Sequence, residues 1–207
     1  MLLPLIARQA DFYCHEMRIC VFAASSSRTD SKYGDAASEL GLLLAKAKIE
    51  VIYGGGGIGL MGKLADAILV NGGRITGVIP SFMNDEGWGH PAVHEMIVTT
   101  DMGERKKNMF ARAEAVVALP GGVGTLEELT EAITLKQLGL FRGPVIILNT
   151  LNFYKSFIEF FDHMIAEQFL RYEHKEIWEV ADTPEEVIMA LTKNKRWIDD
   201  PRRIAKI

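Results

Sequence analysis

The sequence predicts an α/β protein with a Rossmann-like, doubly wound parallel sheet that carries helices on both faces. Short apolar runs alternate with longer amphipathic segments along most of the 207 residues. The apolar runs are nearly continuous rather than alternating with polar residues, which is typical of parallel strands covered on both faces. Glycine-rich or serine-rich turns follow three of these runs, at the strand ends where such folds bind ligands.

Five apolar runs, each bounded by polar or glycine-rich segments, predict the buried strands. These runs are residues 18–23, 50–53, 74–79, 115–119 and 144–148, with a weaker extended piece over 95–98. Apolar residues at helical spacing predict six helices, over residues 31–47, 60–71, 102–112, 126–138, 152–168 and 184–192. Residues 81–91 are rich in glycine and polar side chains and are expected to form a loop.

Local signals mark where several of these helices begin and end. Asp30 or Ser31 is placed to cap the first helix through its side-chain oxygen. Gly72-Gly73 follows the second helix and ends it in the usual way. Thr183 precedes Pro184, so the last helix combines a side-chain N-cap with a proline at its first position.

The chain shows no internal repeat and no linker. We therefore expect one domain over residues 17–195, preceded by an extension over 1–16 and followed by a basic tail over 196–207. The net charge of −4 gives no indication of a nucleic-acid partner. No apolar stretch approaches the ~20 residues needed to span a membrane, and the extension lacks the basic region of a signal peptide.

Cysteine and histidine usage indicates the compartment and argues against a metal site. Cys14 and Cys20 are the only cysteines, and Cys20 lies in a predicted buried strand, so a reducing cytoplasm is expected. The five histidines are scattered, without the close spacing to acids or cysteines that metal ligands show. We expect neither a metal nor a redox cofactor.

The most informative motif is Pro-Gly-Gly-Val-Gly-Thr-Leu-Glu-Glu at residues 120–128. It follows a predicted strand and leads into a predicted helix. Its glycines let backbone N–H groups converge, and the unpaired N–H groups and dipole of the helix favour an anion there. Glu127 and Glu128 would repel a phosphate, so phosphate binding alone does not explain them. A site that holds a phosphate and also uses a carboxylate for chemistry explains both features.

Glu128 also has a purely structural interpretation. Thr125-x-x-Glu128 has the spacing of a capping box, in which the Glu128 side chain would accept from the Thr125 backbone N–H. Glu127 has no such role and is either part of the site or an exposed acid favoured by the helix dipole. The glycine turn ahead of Glu128 favours catalysis or substrate contact over capping.

Two further segments carry candidate binding residues. Residues 54–62 contain a G-x-G-x-x-G-like pattern, but no acid stands at the tip of the next strand, so the pattern does not indicate NAD. Its glycines either permit close helix packing or admit a nucleotide or sugar. Arg105 and Lys106 lie near a predicted helix start, where cations oppose the dipole. They form either a solvated charged face or the grip on an anionic ligand.

Together these segments resemble the Lonely Guy (LOG) family of cytokinin riboside 5′-monophosphate phosphoribohydrolases, many of which are labelled possible lysine decarboxylases. The resemblance rests on residues 53–62, on Glu104-Arg105-Lys106 and on residues 120–128. It extends in order and spacing over roughly residues 18–168.

The resemblance implies a Rossmann-like homodimer with its active site near the subunit interface. It implies that Arg105 and Glu128 form the catalytic pair. Gly121, Gly122, Gly124 and Thr125 would hold the phosphate. The full set of substrate-binding residues that we expect is Ser25, Gly55, Gly56, Gly57, Lys106, Gly121, Gly122, Val123, Gly124, Thr125, Leu126, Glu127 and Thr134.

The implied reaction is hydrolysis of the N-glycosidic bond of N6-modified adenosine 5′-monophosphates to a free base and ribose 5-phosphate. The Glu128 carboxylate would stabilise the positive charge that develops on the sugar, and Arg105 would fix the substrate pose. Two alternatives stay open at this point: a non-catalytic protein that binds AMP-like nucleotides, and a nucleosidase for plain nucleotides. Lysine decarboxylation is disfavoured because nothing marks a Schiff-base lysine.

Overall fold

The computed structural model describes residues 17–193, 197–198 and 200–205. The strands of this part are β1 Arg18–Phe22, β2 Glu50–Tyr53, β3 Ile75–Pro80, β4 Glu95–Thr99, β5 Ala115–Ala118, β6 Val145–Leu148 and β7 Trp178–Ala181. Its helices are α1 Ser31–Lys46, α2 Gly59–Val70, α3 Ser81–Asp85, α4 Met102–Ala111, α5 Val123–Gln137, α6 Lys155–Ala166, α7 Pro184–Thr192 and α8 Arg202–Ala205. Short 3-10 turns lie at Thr150–Asn152 and Tyr172–Glu176.

The strands form one sheet in the order β4-β3-β2-β1-β5-β6-β7. Every neighbouring pair is parallel. From β1 the chain winds outward to β4 and then crosses back to add β5 on the other side of β1. The strand order therefore reverses between β1 and β5, where doubly wound sheets bind ligands beyond the strand ends. This arrangement confirms the predicted fold class.

Helices cover both faces of the sheet. Helices α1, α2 and α7 pack into one apolar core, and α4, α5 and α6 contribute to the other. Along β1, Val21 belongs to the first core and its neighbour Phe22 to the second. Because successive strand residues point to opposite faces, burial on both sides requires apolar residues at both positions. This explains the continuous apolar runs in the sequence.

Three elements differ from the prediction. Helix α5 begins at Val123 rather than at residue 126, with Gly122 as its N-cap residue, so Thr125 lies inside the first turn. The capping-box interpretation of Glu128 is therefore wrong. Residues 81–91 were expected to be a loop but begin with the one-turn helix α3. Strand β7 was not predicted, because its half-exposed Trp-Glu-Val-Ala sequence at the sheet edge lacks a continuous apolar run.

Two predicted caps are confirmed. The Asp30 carboxylate accepts from the Lys32 backbone N–H at 2.9 Å, and the Thr183 hydroxyl accepts from that of Glu186 at 3.3 Å. The predicted extension over residues 1–16, including Cys14, lies outside the described residues, as does part of the tail. Within the described part of the chain, no helix combines the length and apolarity needed to cross a membrane.

Candidate active site

The switch point brings together the turns that follow β1, β2 and β5. The Met61 backbone N–H donates to Ala24 O at 3.1 Å, which ties helix α2 to the turn after β1. The Leu119 N–H donates to Phe22 O at 2.8 Å, which ties the end of β5 to the end of β1. The two glycine-rich segments and the Ser25 turn thus meet at one edge of the sheet, as the sequence predicted for a ligand site.

A buried ion pair lies at this edge. Arg105 on α4 and Glu128 on α5 are 7% and 6% exposed, and Arg105 Nη1 donates to Glu128 Oε1 at 2.8 Å. Arg105 Nε donates to Val78 O at 3.0 Å, and Nη2 donates to Gly54 O at 3.4 Å. Partners from β3, from the turn after β2 and from α5 therefore hold the guanidinium in one orientation. The two residues expected to be catalytic are in direct contact.

Gly54 makes room for this guanidinium. A Cβ atom at Gly54 would lie 2.4 Å from Arg105 Nη2, closer than any real contact allows. The sequence suggested that the glycines of this turn admit a ligand or permit helix packing. At Gly54 the absence of a side chain instead makes room for Arg105 of helix α4.

Burial sets the electrostatic character of Glu128. Removal from water raises the pKa of the Glu128 carboxyl above its ordinary value. The positive charge and hydrogen bond of Arg105 act in the opposite direction, and the nearby charge of Glu127 adds a small upward contribution. Burial thus disfavours the charged form of Glu128, whereas the ion pair with Arg105 favours it. In this low-dielectric site the carboxylate acts on a neighbouring positive charge more strongly than it would in water.

The glycine turn and the start of α5 form a candidate anion site beside this pair. Gly122, Val123 and Gly124 are exposed, and the first backbone N–H groups of α5 have no partner inside the helix. Gly121 lies so close to Thr125 that a Cβ atom would approach the Thr125 hydroxyl to 2.1 Å. The turn therefore folds back onto the first turn of α5.

Lys106 forms ion pairs with the two other acids of α5. Its ammonium group pairs with the Glu127 carboxylate and lies 2.9 Å from Glu131 Oε2. The hydrogen bond to Glu127 raises the pKa of Lys106. Glu127 is thus not simply an exposed acid, because its charge is balanced next to the anion site. Thr134 lies further along α5, is exposed and donates to Thr130 O at 2.8 Å.

The remaining predicted residues differ in accessibility. Ser25 is exposed in the turn after β1. Gly55 and Gly56 are buried, and their backbones pair with the loop after α3: the His90 N–H donates to Gly55 O at 2.9 Å, and Gly56 bridges to Gly89. Gly57 is exposed. Close packing accounts for Gly55 and Gly56, whereas Ser25 and Gly57 lie at the open edge.

A cavity of about 450 Å³ opens at the opposite, amino-terminal edge of the sheet. It is lined mainly by arginines and glutamates, among them Arg18 and Glu50, whose charged groups lie 3.8 Å apart. Neither the glycine turn nor the buried pair faces this cavity. The candidate active site therefore lies at the switch point, and this cavity is not part of it.

A parallel doubly wound sheet with a glycine turn, a helix N-terminus and a buried Arg–Glu pair at its switch point defines a Rossmann-like α/β protein with a candidate anion site. Residues 61–191 match a family model described as "Possible lysine decarboxylase". The chain is similar to cytokinin riboside 5′-monophosphate phosphoribohydrolase LOG of Oryza sativa subsp. japonica, at 43% identity over 84% of this chain and 72% of the relative. It is 41% identical to LOG3 of Arabidopsis thaliana, over 84% of this chain and 81% of the relative.

The chain belongs to this LOG family, as the motifs of the sequence indicated. Among solved structures, the molybdenum cofactor carrier protein of Chlamydomonas reinhardtii superimposes with a TM-score of 0.68 at 23% identity. The match covers 86% of this chain and 98% of the carrier protein. At this identity the likeness shows the fold alone.

Proposed function

We propose that this protein hydrolyses the N-glycosidic bond of N6-modified adenosine 5′-monophosphates, releasing the free base and ribose 5-phosphate. The observation that carries the proposal is the buried contact of Arg105 with Glu128, placed directly behind the glycine turn and the start of α5. The names of the relatives from rice and Arabidopsis support the same reaction.

In the proposed reaction, the glycine turn binds the phosphate and the Arg105–Glu128 pair acts on the bond that is cleaved. The phosphate binds at Gly121, Gly122, Gly124 and Thr125, and its binding energy places the ribose beside Glu128. As the bond between base and sugar lengthens, positive charge develops on the sugar, and the Glu128 carboxylate stabilises it. Glu128 also orients the water that attacks the sugar carbon. The new C–O bond forms as the bond to the base breaks, and the proton that the water loses is taken up by the departing base. Arg105 holds Glu128 in place and carries the positive charge that favours the leaving base.

Lysine decarboxylation is not supported by the lysine beside the site. A Schiff-base lysine must lose its proton before it attacks a carbonyl carbon, which a lowered pKa favours. The pKa of Lys106 is instead raised by its hydrogen bond to Glu127. Its ammonium group is paired with two carboxylates and is a poor nucleophile.

The proposed reaction is tested by incubating the purified protein with isopentenyl-AMP, AMP and isopentenyl-adenosine and separating the products by chromatography. We expect release of free base from the two nucleotides and much slower release from the nucleoside, which lacks the phosphate. The ratio of the two nucleotide rates decides between a modified base and plain AMP as the substrate. Binding of the nucleotides without any product would support a non-catalytic nucleotide-binding protein instead.

The buried carboxylate predicts the pH dependence of the reaction. Glu128 is active as a carboxylate, and burial raises its pKa, so kcat/KM is expected to fall as the pH drops through a value above the ordinary 4.5. Arg105 lowers this pKa. In Arg105→Met, the fall of the residual kcat/KM on the acidic side of the pH profile should therefore occur at higher pH. Measurement of kcat/KM against pH tests both statements.

The matched control is Arg112→Met, which removes an exposed arginine at the opposite edge of the sheet. This variant should keep the acidic limb of the wild-type protein. An acidic limb at or below pH 4.5, or a downward shift in Arg105→Met, would contradict the assigned role of Glu128.

We also propose that two copies of the chain form a homodimer with the site near their interface. Apolar side chains are exposed within two turns of the catalytic pair: Val123 is 84% exposed, Leu126 is 38% exposed and Met102 is 38% exposed. Burial against a second copy would remove this apolar surface from water. Sedimentation should give the mass of a dimer for the wild-type protein and a lower mass for Leu126→Asp. We also propose a cytoplasmic location, which the free thiol of Cys20 supports.

A further inference from the structure

A tyrosine from a different part of the chain contacts the start of the glycine turn. Tyr154 lies between β6 and α6, is 3% exposed, and donates its hydroxyl hydrogen to Leu119 O at 2.7 Å. Leu119 is the residue directly before Pro120, where the turn begins. The mechanism proposed above does not use Tyr154.

The Leu119 carbonyl needs this partner because the sheet ends there. The pairing of β5 with β1 runs as far as Ala118 and Phe22, and the Leu119 N–H adds one more bond, to Phe22 O. The Leu119 carbonyl lies beyond this last bond of the ladder. A buried carbonyl without a partner is costly, so the Tyr154 hydroxyl supplies a donor where the β1–β5 ladder has ended.

Tyr154 is itself held firmly in position. Its backbone N–H donates to Asn149 Oδ1 at 2.8 Å, and its ring packs edge-to-face on Phe153 with centroids 5.0 Å apart. Leu151 and Asn152, directly before this segment, adopt left-handed backbone conformations with φ of 55° and 58°. Such conformations are unfavourable for residues with a side chain and persist where the surrounding structure demands them. Burial raises the pKa of Tyr154, so its hydroxyl remains a donor.

We propose that Tyr154 is a positioning residue for the phosphate-binding turn. This inference rests on the proposed function. By fixing the Leu119 carbonyl, the hydroxyl fixes the direction in which the chain enters Gly121 and Gly122. The Leu119 N–H is already fixed by Phe22 O, so both backbone groups before the turn are held. Without the hydroxyl the turn can rotate about its entry point, and its N–H groups no longer converge on one phosphate.

The test is Tyr154→Phe, which removes the hydroxyl and keeps the aromatic ring. Ribose 5-phosphate and adenosine are titrated calorimetrically into the wild-type protein and the variant, and isopentenyl-AMP hydrolysis is followed in parallel. We expect the Kd for ribose 5-phosphate and the KM for the nucleotide to rise about tenfold, because a small displacement of binding groups has large effects. The kcat should stay within about threefold, and adenosine, which has no phosphate, should bind both proteins equally.

Two controls separate positioning from a general loss of stability. Ile188→Val trims a buried side chain on α7, on the opposite face of the sheet, and should lower the Tm without changing the Kd for ribose 5-phosphate. Tyr172→Phe removes a tyrosine hydroxyl from a side chain that is 75% exposed. This variant should change neither the Tm nor the Kd for ribose 5-phosphate.

The possible results separate the two proposals. An unchanged Kd in Tyr154→Phe, or an equal rise in Ile188→Val, would overturn the inference. If the wild-type protein binds ribose 5-phosphate more tightly than Tyr154→Phe does, but releases no base, the proposed function is overturned and the inference is kept. A wild-type protein that neither binds ribose 5-phosphate nor releases base would overturn both, and one that releases base without binding ribose 5-phosphate would overturn the inference alone.

Discussion

Replacement of Glu128 by glutamine is expected to lower the rate of base release about 10³-fold, with little change in nucleotide affinity. The glutamine amide has nearly the same shape, and its oxygen still accepts from Arg105. What the substitution removes is the negative charge that stabilises the positively charged sugar in the transition state. The effect should therefore appear in kcat, measured by chromatography of the released base.

The control for this substitution is Glu159→Gln on α6. Glu159 has an exposed side chain and forms only an i,i+4 ion pair with Lys155, which contributes little. The activity of the Glu159→Gln variant should equal that of the wild-type protein. Wild-type turnover in Glu128→Gln would show that Glu128 only supports the structure through Arg105, and the catalytic proposal would then fail.

Gly54→Ala should have the second-largest effect, although Gly54 is not expected to contact the substrate. The new Cβ atom would lie 2.4 Å from Arg105 Nη2, with the sulfur of Met61 at 3.0 Å on another side. The guanidinium must therefore move, and its hydrogen bonds to Glu128 and Val78 cannot both be kept. We expect kcat/KM to fall about 10²-fold, the size of effect that a displacement of about 1 Å produces at catalytic groups.

The matched control is Gly34→Ala on α1. A Cβ atom at Gly34 would meet only the Lys63 side chain, at an ordinary contact distance of 3.7 Å. Because alanine favours the helix by about 1 kcal/mol over glycine, this variant should keep its activity and gain stability. The Tm of both variants is measured by thermal unfolding. Full activity in Gly54→Ala would show that the position of Arg105 tolerates displacement and is not needed for turnover.

Most of the fold could be predicted from the sequence, and so could the two residues that form the buried ion pair at the candidate site. Alternating apolar runs and amphipathic segments predicted the parallel sheet, because burial on both faces leaves a local pattern in each strand. The strand β7 and the helix α3 were missed. Each is short and partly exposed, and neither carries enough buried residues to produce such a pattern.

The motif of residues 120–128 predicted an anion site and singled out Glu128, since glycine spacing and helix signals are local properties. The same local information also allowed a capping box at Thr125 and Glu128. Only the start of α5 at Val123 and the contact with Arg105 decided against it. Because the helix begins at Val123, Thr125 lies in its first turn and cannot be the N-cap residue, and the Glu128 side chain pairs with Arg105 instead.

What the sequence by itself determined was the alternation of strands and helices, the glycine turn before α5 and the residue types of the Arg105–Glu128 pair. The tertiary structure decided which groups meet. Arg105 lies 23 residues from Glu128, 27 from Val78 and 51 from Gly54, and Tyr154 lies 35 from Leu119. Such contacts depend on the order of strands in the sheet and on backbone carbonyl groups, which every residue carries. No side-chain pattern in the sequence therefore reports them.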